Sequence, residues 1–111
     1  MQEGRALANL PSLPHLNVVG SVVTGTHGGG INNSAMATHV VKVAYVDEEG
    51  IQKELGWHHP DFYPFLHTFG TLGIIYEMTM RTEPEYGIKK CIYKDMPWDF
   101  LKDRNTFDIV N

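Results

Sequence analysis

Thr24-Gly25-Thr26-His27-Gly28-Gly29-Gly30 constrains this chain more than any other stretch, because four glycines in seven residues belong neither in a helix interior nor in a central strand. The loop follows directly on a short apolar run, Val18-Val19-Gly20-Ser21-Val22-Val23. Glycine lets a backbone come within hydrogen-bonding distance of a ligand, and successive N–H groups can form a concavity suited to phosphate oxygens. The hydroxyls of Thr24 and Thr26 add donors. A short helix beginning near Asn17 would contribute the positive end of its dipole. The loop matches neither the Gly-x-x-x-x-Gly-Lys nor the Gly-x-Gly-x-x-Gly pattern, so by itself it reads equally as an anion cradle or as a plain surface turn.

Charge narrows the partners. Nine Lys and Arg stand against thirteen acidic residues, a net charge of −4, with no basic run to neutralise a phosphate backbone or an anionic membrane surface. Nucleic acid and membrane are therefore not expected partners. No apolar run approaches the roughly 20 residues that span a bilayer, and Met1-Gln2-Glu3-Gly4 does not begin a secretory signal. The single cysteine, Cys91, excludes an internal disulfide framework and fits a reducing, cytoplasmic setting.

The pattern along the chain is α+β, with a mixed or antiparallel sheet and short helices. Residues 38–46 are β-branched and nearly continuous, Asp47-Glu48-Glu49-Gly50 supplies a turn, and residues 51–55 complete a hairpin. Asp61 is placed to cap a short helix that buries Phe62, Phe65, Leu66 and Phe69, with Pro64 tolerated in its first turn. From Ile74 to Thr82, Ile74, Tyr76, Met78 and Met80 alternate with Ile75, Glu77, Thr79 and Arg81, which predicts a half-buried strand closed by Glu83-Pro84. A further strand is expected over 88–94. Asp95 and Pro97 then open a helix with Trp98, Phe100 and Leu101 on its apolar side. A glycine- and proline-rich opening needs neighbours to cover it, and the inventory is thin for an independent fold.

Three segments at fixed spacing sharpen the loop's meaning: Ser12-Leu13-Pro14-His15, then Thr24-Gly25-Thr26-His27-Gly28, then Gly70-Thr71-Leu72-Gly73. In this combination, over about residues 6–85, the chain resembles the PCMH-type FAD-binding domain of alditol and xylitol oxidases, sugar-alcohol members of the vanillyl-alcohol oxidase superfamily. Gulonolactone and arabinonolactone oxidases share the Thr-Gly-Thr-His loop but usually lack Ser-Leu-Pro-His, which favours the polyol branch. The resemblance implies that residues 1–85 are the C-terminal portion of an FAD-binding domain and 86–111 the start of a substrate, or cap, domain.

By the same resemblance Ser12 lies beside the isoalloxazine ring at the substrate pocket. Pro11, Asn17, Gly20, Thr24, Gly25, Thr26, His27 and Gly28 line the cofactor, and the backbone of Ile75 approaches the flavin. Read from the residues alone, Ser12 could equally satisfy turn backbone between Pro11 and Pro14, and Ile75 could be core. Pro11 replaces the Ala or Gly usual in the family at the flavin face where oxygen arrives. Oxygen is the acceptor the family implies, and Pro11 leaves it open between oxygen and another oxidant.

The family attaches FAD through a histidine in a Gly-Ser-Gly-His-Ser segment that this sequence does not contain, and the cap residues that activate the hydroxyl are also missing. The expected ligands are FAD and a small polyol or sugar lactone, with no catalytic residue inside the chain and no turnover by the chain alone. Its expected partner is the remainder of the FAD and cap domains. An aldonolactone oxidase and a non-catalytic remnant of the fold are the alternatives. His58-His59 with His27 or His39 makes no metal site, because adjacent histidines point apart and no Cys or acidic partner has ligand spacing.

Overall fold

The computed structural model describes residues 4–30, 32–92, 94–95 and 97–102. Its elements are strand β1 (Arg5–Ala6), helix α1 (Val18–Val23), strands β2 (Val40–Val46) and β3 (Gln52–Gly56), helix α2 (Phe62–Leu66), and strands β4 (Ile74–Met80) and β5 (Glu83–Pro84). Short 3₁₀ turns occupy Met36–His39 and Trp98–Lys102. The architecture is α+β, with all strand pairings antiparallel in two sheets, β3-β2-β4 and β1-β5.

The hairpin stands where its residues predict it, except that Thr38 and His39 belong to the 3₁₀ turn and the strand begins at Val40. The Asp47 carboxylate accepts the N–H groups of Glu49 (3.0 Å) and Ile51 (2.9 Å), and the Asp47 N–H donates to the Ile51 carbonyl, closing the turn. Lys53 reaches the other Asp47 oxygen at 2.5 Å. These contacts hold the Asp47 carboxyl below its usual pKa, the Lys53 hydrogen bond first among them, and raise that of Lys53.

One core unites the sheet, α1, α2 and the first 3₁₀ turn: Val22, Val40, Val43, Phe62 and Leu66 are fully buried, beside Met36, Ala37 and Phe65. Burying each large side chain contributes roughly 1.5–3 kcal/mol. Helix α2 accommodates Pro64 because first-turn N–H groups have no intrahelical acceptor in any case. Asp61 precedes the helix without a side-chain cap bond; its own N–H donates to His59 Nδ1.

Several expectations are corrected. Phe69 is 73% exposed, not buried, because α2 ends at Leu66 and the chain reverses with positive φ at Phe69 (56°) and Gly70 (77°), turning the ring outward. The alternation along β4 is broken at Tyr76, so Ile75, Met78 and Met80 pack against the core while Ile74 is 75% exposed. Glu83-Pro84 does more than stop β4; it pairs with β1, where Arg5 also donates to Thr82 Oγ1 (2.9 Å) and the Thr82 carbonyl (3.1 Å). Residues 88–92 and 94 form no strand. The closing helix is a 3₁₀ turn with Trp98 73% exposed, and the expectations for the Phe100 and Leu101 side chains lie outside the described residues. Among the described residues no helix is long and apolar enough to cross a membrane.

Candidate functional site

Helix α1 organises the loop from both of its ends. Asn17 is the N-cap, in extended conformation, and its Oδ1 accepts the Gly20 N–H at 3.2 Å. At the other end Thr24 N–H donates to the Gly20 carbonyl (3.2 Å), Gly25 N–H to Val22 (3.0 Å) and Thr26 N–H to Ser21 (2.8 Å). Gly25, with φ 70°, is the left-handed residue with which helices commonly end. The Thr24 hydroxyl donates to the Gly20 carbonyl at 2.8 Å and lies 3.2 Å from the Thr26 hydroxyl, which is left as the donor of that pair.

This arrangement alters how the loop can meet an anion. The amides of Thr24, Gly25 and Thr26 cap the helix and form no phosphate concavity. The loop also leaves the C-terminal, negative end of α1 rather than its positive end. The N–H groups of His27, Gly28 and Gly29, by contrast, have no partner among the described residues. His27 Nδ1–H donates to the Gly28 carbonyl at 2.9 Å, and its exposed ring directs Nε2 away from that bond.

Beside α1 lies a groove of about 250 Å³, lined by Leu16, Asn17, Gly20, Ser21, Thr24 and Thr26. It brings together four residues singled out in the sequence: Asn17, Gly20, Thr24 and Thr26. Gly20 has no packing reason to be glycine, since a Cβ there would meet only Asn17 Cβ, at 3.9 Å. Glycine inside a helix costs about 0.5–1 kcal/mol relative to alanine, so its effect here is to leave the groove floor open. The groove fits one section of a dinucleotide and not its whole length. Its walls offer the Asn17 amide and the threonine oxygens, and the N–H groups of His27 to Gly29, unpaired among the described residues, follow in the same loop.

The remaining candidates lie elsewhere. Gly25 turns the chain beside the groove, its Cα facing the His67 ring. Pro11 and Ser12 occupy a surface turn before α1, with Ser12 exposed. Ile75 is half-buried and packs against the core cluster. Gly28 lies under Asn9, where a Cβ would fall on Asn9 Oδ1 and on the Leu10 carbonyl. Asn9 and Ser21 are buried polar residues that the motif reading passed over. The signal available for Asn9 was a lone amide within an otherwise apolar run, Ala6-Leu7-Ala8-Asn9-Leu10.

A larger hollow of about 630 Å³ lies between the hairpin and α2, with Tyr45, Leu55, Phe65 and Leu72 as its apolar wall. None of the sequence candidates lines it. Its most enclosed charge, Asp47, is already paired with Lys53 and bonded to backbone, so the groove at α1 is the better candidate.

No family model matches the chain. An alditol oxidase of Streptomyces sp. (strain IKD472 / FERM P-14339) is 35% identical over 94 residues, covering 85% of this chain and 23% of the relative. D-arabinono-1,4-lactone oxidase of Yarrowia lipolytica is 34% identical over 92 residues, covering 78% and 17% respectively. Its counterpart in Candida albicans is 33% identical over 89 residues, covering 76% and 15%. The chain thus spans about a quarter or less of the length of these relatives, and its homologues include both the alditol and the lactone kind that the motifs indicated.

Proposed function

We propose that this chain is a segment of an FAD-linked oxidoreductase that oxidises a CH–OH group of an alditol. Residues 1–85 form the C-terminal portion of a PCMH-type FAD-binding domain, and 86–111 begin the substrate domain. The observation that supports this best is the α1 groove, where Asn17, Gly20, Thr24 and Thr26 converge in a chain 35% identical to an alditol oxidase over 85% of its length. When bound, FAD supplies the electron sink that accepts hydride from the carbinol carbon.

The chain's own contribution is position. Asn17 and Gly20 shape the groove floor, Thr24 and Thr26 present hydroxyl oxygens to the ribityl and pyrophosphate region, and the amides of His27, Gly28 and Gly29, unpaired among the described residues, are the donors for phosphate oxygens. Gly25 sets the turn, Pro11 and Ser12 border the ring and substrate pocket, and the Ile75 backbone approaches the flavin in the assembled domain. The substrate is a small polyol, the acceptor oxygen, and the setting cytoplasmic. Leu10, Leu13, Leu16 and Val18, all at least 45% exposed, form an apolar surface ahead of the loop that suits burial against the rest of the domain.

The lactone reading has its own support, since the arabinonolactone oxidase of Yarrowia lipolytica is 34% identical over 78% of this chain. One experiment tests the shared flavin reading. The chain is titrated with FAD while flavin fluorescence is followed, then co-expressed with a chain supplying the first part of the domain. A yellow complex is the expected result. Colourless protein in the co-expression, with fluorescence unchanged in the titration, would leave the non-catalytic remnant.

A further inference from the structure

We propose that Asn9 is a positioning residue for the glycine turn of the cofactor loop: its carboxamide holds Gly28 on one side and Ser34 on the other. The amides of His27, Gly28 and Gly29 thereby keep a single orientation. The inference rests on the reading of the loop as an FAD site.

Asn9 is 6% exposed, a lone amide buried within an apolar run. A buried carboxamide must have partners, and being planar and short it can fix two neighbours at once, one by a hydrogen bond from its amide and one by close contact of its oxygen. Its Nδ2 donates to the Ser34 carbonyl at 2.8 Å, across 25 residues of sequence. Its Oδ1 lies so close to the Gly28 backbone that any Cβ at position 28 would overlap it.

The turn beyond is fastened at further points. Asn33 Nδ2 donates to the Gly29 carbonyl (2.9 Å), Asn33 N–H to the Gly30 carbonyl (3.3 Å), and Met36 N–H to the Thr26 carbonyl (3.1 Å). A run of three glycines loses more backbone entropy on ordering than any other tripeptide, so this turn depends on such contacts for a defined shape. Asn9 is itself fixed, because it follows β1, and β1 is tied to β5 by the sheet and by Arg5 on Thr82. The chain of contacts therefore runs from β5 through β1 and Asn9 to Gly28. A hollow of about 480 Å³ opens behind Asn9, lined also by Gly29, Asn33, Glu83 and Tyr86, so this side of the turn has room to relax if the amide is removed.

The test uses the whole chain and two substitutions, read by the amide resonances of Gly28, Gly29 and Gly30 and separately by FAD titration. Asn9→Ala should broaden or shift those three resonances while those of β2–β4 stay in place, and should raise the FAD dissociation constant at least tenfold. Asn9→Asp keeps the shape, but its carboxylate cannot donate to Ser34. Burial raises the introduced carboxyl's pKa; among the described residues Glu83 and Tyr86 line the same hollow as Asn9, and His27 adjoins the turn. Only the protonated form restores the bond, so in Asn9→Asp the glycine resonances should be native-like at low pH and lost as pH rises through that pKa, a step additional to any the parent chain shows. Should Asn9→Ala unfold the chain, the acid-dependent recovery of Asn9→Asp still decides. Unmoved glycine resonances in both variants would overturn the proposal. A parent chain that binds no FAD would instead sink the flavin reading, leaving the resonances to judge Asn9.

Discussion

Ile75 stands opposite Tyr45 across β2 and β4, whereas Glu77 stands opposite Ala44, so one step along β2 is answered by two along β4. Tyr76 is the extra residue of a β-bulge, and it reverses the alternation beyond it. Ile75 consequently shares the core-facing side with Met78 and Met80, and Ile74 points outward. Ile75→Ala should cost about 1–3 kcal/mol of unfolding free energy, and Ile74→Ala under about 0.5 kcal/mol. Urea denaturation of both variants measures the difference; equal losses would mean the bulge lies elsewhere.

The glycine turn predicts a second asymmetry. A Cβ at Gly28 would strike Asn9 Oδ1 and the Leu10 carbonyl, and the backbone oxygen has little freedom to retreat; at Gly29 a Cβ meets nothing. Gly28→Ala should lower stability by about 1–3 kcal/mol, and Gly29→Ala should stay within about 0.5 kcal/mol of the parent. Thermal melts of the pair would reverse this ranking if the turn were packed differently.

Acid should loosen the hairpin through one residue. Asp47 has its carboxyl pKa lowered in the folded chain by Lys53 and by the Ile51 and Glu49 amides. A lowered folded pKa gives stability that is present above the unfolded value, 3.8, and is lost as pH falls through the folded one. The hairpin contribution should therefore be intact at neutral pH and decline only below about pH 4. Asp47→Asn should flatten that acid limb. Amide exchange at Glu49 and Ile51 followed against pH checks it, and identical acid profiles for the two proteins would refute it.

What could be read beforehand divides along physical lines. The hairpin was legible because β-branched runs and the Asp-Glu-Glu-Gly turn are local signals, and α2 because Phe62, Phe65 and Leu66 have helical spacing. The bulge at Tyr76 and the β1–β5 pairing were not, since neither leaves a local pattern; the second joins residues nearly eighty positions apart. At the site, motif resemblance singled out Asn17, Gly20, Thr24 and Thr26, which the fold gathers into one groove. The direction of the amides was hidden. Whether a Thr-Gly-Thr turn faces a ligand or caps the preceding helix depends on where that helix ends, and α1 ends at Val23.

Gly20 offers the sharpest separation of stability from binding. It sits inside α1, where alanine is the better helix former by about 0.5–1 kcal/mol, and the added methyl would make only an ordinary contact with Asn17. Gly20→Ala should therefore stabilise the chain by about that amount in urea denaturation. The same methyl would stand on the floor of the groove between Asn17 and Thr24, where the cofactor is proposed to lie. FAD affinity should accordingly fall about tenfold or more while the melting temperature rises. A stabilised variant that binds FAD as well as the parent would move the cofactor out of this groove, and a destabilised one would show that α1 does not tolerate the change its geometry allows.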